Sequence, residues 1–203
     1  PPDGLIAGAI ALGGEPDGGD VVSALVPPGP FVLMHAPLVR RSHLLLVLTA
    51  LAPLDIDVVV AGEPADVDTA ISLRAGAGRE VLFLTEPAPA VLAGLYARAA
   101  VYVEPSLRSR SPARLARAVR AGALPLVARD GPLARLVPPE LTFSISDPAE
   151  IAAAIGGALA RPDRVERARM LAAALGGLSD PGRARDAALA AYARAAARSA
   201  PAS

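Results

Sequence analysis

At 203 residues, with 53% hydrophobic and 20% charged side chains, the chain is long enough for one large α/β domain with a buried core and too apolar to be disordered. A formal net charge of zero and an aromatic content of 3% exclude the basic footprint and the stacking platforms of a nucleic-acid binder, and leave little to hold an anionic membrane surface. Cysteine is absent, which removes disulfide and thiolate chemistry, and two histidines, His35 and His43, are too few for a histidine-rich metal site.

In chain order, "PPDG", "LGGEPDGGD" and "PPGP" punctuate residues 1–30 with turns around two short apolar runs, so this stretch reads as an entry segment or linker. Regular alternation starts at Phe31. "FVLMH" predicts a strand covered on both faces, "VRRSHLLLVLTALA" a helix and "IDVVVAG" a strand. "PADVDTAISLRAGA" predicts a helix, "EVLFLT" a strand, "APAVLAGLYARAA" a helix and "VYVEPS" a strand running into a Pro-Ser turn. "SPARLARAVRAG" then predicts a helix with Ser111 as N-cap and Pro112 at the first helical position. The strand "LPLVARDG", a short helix "PLARLV" and the short strand "LTFSIS" follow. The remainder reads as helix: "DPAEIAAAIGGALA", "PDRVERARMLAAALGGL" and "DPGRARDAALAAYARAAARSA" each have a Pro near the first turn. Residues 31–198 form one domain on this reading, and 199–203 a disordered tail.

Strands alternating with helices of about a dozen residues imply βαβ crossovers, hence a doubly wound, Rossmann-like parallel sheet of about six strands with helices on both faces and a helical C-terminal tail. Ligands in such sheets sit outside the carboxyl ends of the strands. "HLLLVLTALAPLDIDVVVAG" is interrupted by Pro53, Asp55 and Asp57 before the roughly 20 apolar residues of a membrane span accumulate. No signal peptide pattern opens the chain, so a cytoplasmic protein is expected. The first residue is Pro1 rather than methionine, which reads as an excised domain, an engineered chain or a processed product, with a missing N-terminal domain or partner subunit expected.

The stretch "GLYARAAVYVEPSLRSRSPARLARAVRAGALPLVARDGPLARLV" resembles the C-terminal, donor-binding half of GT-B glycosyltransferases of the retaining family 4 type. "DPAEIAAAIGGALARPDRVERARM" and "FVLMHAPLVRRSHLLLVLTAL" fit the same pattern, so the resemblance runs from about Phe31 to Tyr192. It implies a Rossmann-like fold, a nucleotide-sugar ligand, and glycosyl transfer to an acceptor with retention, without a metal or other cofactor. The departures fall where that family does its chemistry. Aligned from Pro105, the glutamate that contacts the donor sugar falls on Ser109, and the one that accepts from the nucleotide ribose falls on Arg117. The Gly-x-Gly turn falls on Arg110, Ser111 and Pro112, and the phosphate-grasping arginine and lysine fall on Pro37 and Ser42. A glycine and glutamate of the last loop fall on Pro132 and Arg135. Arginine has no acceptor for a hydroxyl, and proline has no N–H for a phosphate.

No catalytic residue is assigned. The donor- or phosphate-binding candidates are the loop residues Arg108, Ser109, Arg110 and Ser111, the helix-start residues Ala113, Arg114 and Arg117, and Arg40, Arg41 and Ser42 of the first loop. The amides of Ala113 and Arg114 with the helix dipole suit an anion, and the arginines suit phosphate oxygens in bidentate geometry; a solvated arginine face on a well-capped helix is the plain alternative. His35 and His43 are expected as hydrogen-bonded structural residues and Glu104 as the cap of a backbone amide. Three functional readings follow: a donor domain of a glycosyltransferase, a catalytically degenerate relative used as a scaffold or partner-interaction domain, and a doubly wound domain for another phosphorylated ligand.

Overall fold

The structure is a computed structural model that describes residues 24, 26, 28–63, 67–77 and 81–176. Six strands form one sheet: β1 (Phe31–His35), β2 (Asp57–Gly62), β3 (Leu82–Thr85), β4 (Val101–Glu104), β5 (Leu124–Ala128) and β6 (Thr142–Phe143). Their order is β3-β2-β1-β4-β5-β6, and every neighbouring pair is parallel. The six strands read from the sequence are therefore present in one direction, the sixth, from "LTFSIS", being the shortest and lying at the edge. β1 is central, with Leu33 opposite Val59 on one side and Tyr102 on the other. Phe31, Val32, Leu33 and Met34 are all fully buried, as a strand covered on both faces requires.

Among the described residues, six α-helices connect and cover the strands: α1 (Leu44–Leu51), α2 (Val67–Gly76), α3 (Pro89–Arg98), α4 (Ala113–Ala121), α5 (Pro148–Ala160) and α6 (Arg164–Leu175). Contacts sort them into two groups, α1 with α2 and α5, and α4 with α3 and α6. α4 buries Leu115, Ala116, Ala118 and Val119 and turns its arginines outward. Gly122 ends it at φ 93°, a left-handed conformation that glycine adopts without strain. Ala123 then donates back to the Ala118 carbonyl at 3.0 Å, and the chain enters β5.

Several boundaries differ from the sequence reading. The helix expected over 39–52 is a 3-10 turn, Arg40–Ser42, followed by α1. Both the amide and the hydroxyl of Ser42 donate to the Val39 carbonyl, at 3.0 and 2.5 Å, and His43 sits at φ 61°, which breaks the helical run. "PLARLV" forms only a 3-10 turn, Ala134–Leu136. The last strand is just Thr142–Phe143, because the chain turns at once into α5, whose cap Asp147 accepts from the amides of Ala149 and Glu150 at 3.0 and 3.1 Å. Replacing Asp147→Ala should lower unfolding free energy by about 1 kcal/mol, measured by urea denaturation; an unchanged midpoint would show that this cap is dispensable. Most of the expected entry segment, the third C-terminal helix and the 199–203 tail lie outside the described residues, as do residues 64–66 of the expected second helix.

Candidate functional site

The chain order reverses between β1 and β4, so their carboxyl ends diverge and open a crevice. His35 closes β1 there and Glu104 closes β4. Tyr102, on the same strand and two residues earlier, donates its hydroxyl to Glu104 Oε2 at 3.1 Å. The Ser106 amide donates to Oε1 at 3.4 Å. Glu104 is 2% exposed. Burial pushes its carboxyl above the usual carboxylate range, with the Tyr102 hydroxyl and the Arg114 charge acting against that rise. From the other side, His35 Nδ1 pairs with the Tyr96 hydroxyl at 2.8 Å, and the two rings meet edge to face with centroids 5.8 Å apart.

The loop after β4 is organised by Ser106, whose Oγ accepts from the amides of Arg108 and Ser109, both at 3.2 Å. The Ala113 amide donates to Ser111 Oγ at 3.4 Å. Here the helix start departs from expectation: Pro112 occupies the N-cap position in helical geometry, and Ser111 lies one residue earlier. Ala113 is therefore not a free amide for an anion, and neither are the amides of Arg108 and Ser109. The guanidinium groups of this loop add positive charge that can hold an anion.

Arg114 borders three cavities at the crevice. One, of about 190 Å³, brings together Arg41, Ser42, Arg108, Ser109 and Arg114 over the Glu104 carboxylate. A wider one, of about 470 Å³, joins Ala113, Arg114 and Arg117 to His35 and Tyr96. A third, of about 130 Å³, runs from His35 past Glu63 and Glu86. Arg110 is placed elsewhere, with Arg108, Asp130 and Pro132. Ser42 is buried and its hydroxyl is engaged by the Val39 carbonyl. Arg40 belongs to the 3-10 turn, and its side chain lies outside the described residues. His43 Nδ1, expected to be hydrogen-bonded, is buried without a partner among the described residues. Among those residues no group of three or more His, Cys, Asp or Glu side chains could hold a metal ion.

Tyr96 and Tyr102 were missed as site residues because each reads as core: both are almost wholly buried, with ring centroids 5.9 Å apart. The Arg117 guanidinium lies over the Tyr96 ring, 5.4 Å from its centroid. Burial, followed by the charges of Arg114 and Arg117, lowers His35 to about 4 from its ordinary 6.5. The unfolded chain thus binds more protons than the folded one between those values, so the His35 contribution to stability falls as pH drops from 6.5 towards 4. Glu104, shifted upward, works in the opposite sense. Replacing His35→Gln should flatten the acid limb of the stability curve, read by urea denaturation at pH 7 and pH 5; an acid limb of unchanged slope would contradict a buried neutral imidazole.

No family model matches the chain, and no curated protein matches it. Solved structures do. An α,α-trehalose-phosphate synthase (UDP-forming) from Burkholderia vietnamiensis superposes with a TM-score of 0.75 at 18% identity, covering 90% of this chain and 46% of that one. Sucrose-phosphate synthase from Thermosynechococcus elongatus gives a TM-score of 0.71 at 19% identity, covering 89% of this chain and 49% of that one. The catalytic domain of cholesterol-α-glucosyltransferase from Helicobacter pylori gives 0.60 at 18% identity, covering 72% of this chain and 99% of that one. The likeness is one of fold: the chain has a Rossmann-like parallel α/β sheet like that in part of each synthase. It spans about half the length of the two synthases. Among the described residues no helix is long and apolar enough to cross a membrane.

Proposed function

We propose that this chain is the C-terminal, donor-side half of a glycosyltransferase or glycosyltransferase-like protein, with the crevice between β1 and β4 receiving the phosphate-bearing part of a nucleotide-sugar. The reaction of that class moves a sugar from the nucleotide to an acceptor, here with retention. The observation that carries the reading is the position of Arg114 at the mouth of the crevice, beside Arg41 and Arg108 on one side and Arg117 on the other. A departing diphosphate develops negative charge, and preorganised guanidinium groups stabilise it by charge-assisted, bidentate contacts. Fold likeness at this level of identity does not by itself fix an activity. The acceptor side would belong to the half of the protein that this chain does not span, so the chain alone should not turn over substrate.

A second reading, a catalytically degenerate scaffold, is favoured by one observation: the loop amides that would approach a ligand are engaged by Ser106 and Ser111. Calorimetry with uridine, guanosine and adenosine diphosphates and their sugar conjugates separates the two. The donor reading expects the diphosphate and its sugar conjugate to bind alike. Leaving ribose and sugar hydroxyls without acceptors costs on the order of 1–3 kcal/mol, a weakening of roughly 5- to 150-fold against a site that has them. Absence of all binding supports the scaffold, and a much tighter sugar conjugate would mean that Glu104 or another carboxylate replaces the missing pair.

A further inference from the structure

Of the three cavities that Arg114 borders, one carries the carboxylates Glu63 and Glu86, and the other two differ in chemistry from each other. The smaller holds a carboxylate, Glu104, beneath its arginines and serines. The wider holds none: its polar groups are the imidazole of His35, the phenol of Tyr96, and the guanidinium groups of Arg114, Arg117 and Arg120. His35 Nδ1 and the Tyr96 hydroxyl pair at 2.8 Å, so each satisfies one polar atom of the other. A neutral polyol in this compartment would meet no carboxylate, and the three guanidinium groups would offer its hydroxyls donors without acceptors. An anionic group would meet donors and positive charge together. The Arg117 guanidinium rests over the Tyr96 ring, which restricts its orientation before any ligand arrives.

We infer that the wider compartment is a second anion subsite, so that the crevice selects a ligand carrying two anionic groups separated by a sugar ring, such as a bisphosphorylated sugar or nucleoside, over one with its charge concentrated in a single diphosphate. Arg114, bordering both compartments, is shared between the two groups. This rests on the reading of the crevice as the ligand site and adds what the ligand must carry.

The test is calorimetry at neutral pH with glucose 1,6-bisphosphate, glucose 1-phosphate and inorganic pyrophosphate, on the wild-type chain and on Arg117→Gln and Arg117→Lys. The bisphosphate should bind at least about tenfold tighter than pyrophosphate, as one further charge-assisted arginine contact provides. Arg117→Gln should abolish that advantage by weakening the bisphosphate markedly more than it weakens pyrophosphate, and Arg117→Lys should restore part of it, since charge returns without the planar fork. An unchanged urea midpoint in both variants confirms that the fold is intact. Pyrophosphate binding with no preference for the bisphosphate, or a preference untouched by Arg117→Gln, overturns the second subsite and leaves the crevice reading standing. Failure of all three ligands to bind overturns both.

Discussion

Replacing Gly62→Ala should destabilise the fold by about 3 kcal/mol or more, near the upper end of what overpacking normally costs. Gly62 ends β2, and a Cβ there would lie 1.9 Å from the Ala36 carbonyl oxygen and 3.0 Å from its carbon. Both obstructing atoms are backbone, and no side-chain rotation relieves them. The surrounding backbone is pinned as well: the Ala36 amide donates to Ala61 at 3.1 Å, and the Glu86 amide to Gly62 at 3.1 Å. Accommodating a methyl group therefore means parting the loop after β1 from the end of β2, at the crevice itself. Urea denaturation should show a lower midpoint with an unchanged slope. A loss below about 1 kcal/mol would mean that the β1 loop yields easily, and that the crevice is less rigidly framed than this packing implies.

Replacing Arg114→Gln should weaken binding of any phosphorylated ligand by roughly 10- to 100-fold, corresponding to the loss of charge-assisted contacts worth about 1.5–3 kcal/mol. No other side chain borders all three crevice cavities described above. Its charge also acts on Glu104 and His35, so its removal should raise the Glu104 carboxyl further and relax His35 upward. Stability should change by less than about 1 kcal/mol, as for other partly exposed charges. Calorimetry with pyrophosphate reads the first effect and urea denaturation the second. Unaltered ligand affinity would move the anion site away from the crevice.

The sheet was legible because its strands are short runs dominated by Val, Leu and Phe with little polar alternation, a pattern that a parallel sheet covered on both faces requires. "FVLMH" and "VYVE" could be read as strands of one parallel sheet without any knowledge of contacts. The helix over 39–52 was misread because apolar periodicity continues through "VRRSHLLL" while Ser42 bonds back to Val39 and His43 turns left-handed. Such local side-chain and backbone closures compete with a helix and leave no periodic trace. The arginines and serines of the crevice were visible as residue types on loops at strand ends. Their division between compartments was not, because it depends on which way α4 rolls: Arg114 and Arg117 face the crevice, while Arg110 joins Asp130 and Pro132. Tyr96 and Tyr102 were invisible as site residues, since a buried aromatic on a strand or helix looks the same whether its hydroxyl serves a site or not. A signal was present in their combination with His35 and Glu104 at the ends of the two central strands.

The most direct test of the crevice as the anion site is a titration of the ¹⁵N-labelled chain with inorganic pyrophosphate, followed by amide chemical shifts. The account predicts saturable shifts confined to residues 35–42 and 104–117, lost together in Arg114→Gln. Saturable shifts centred instead on the opposite end of the sheet, around Gly29, Pro30 and Arg164, or the same shifts in the Arg114→Gln chain, would contradict it.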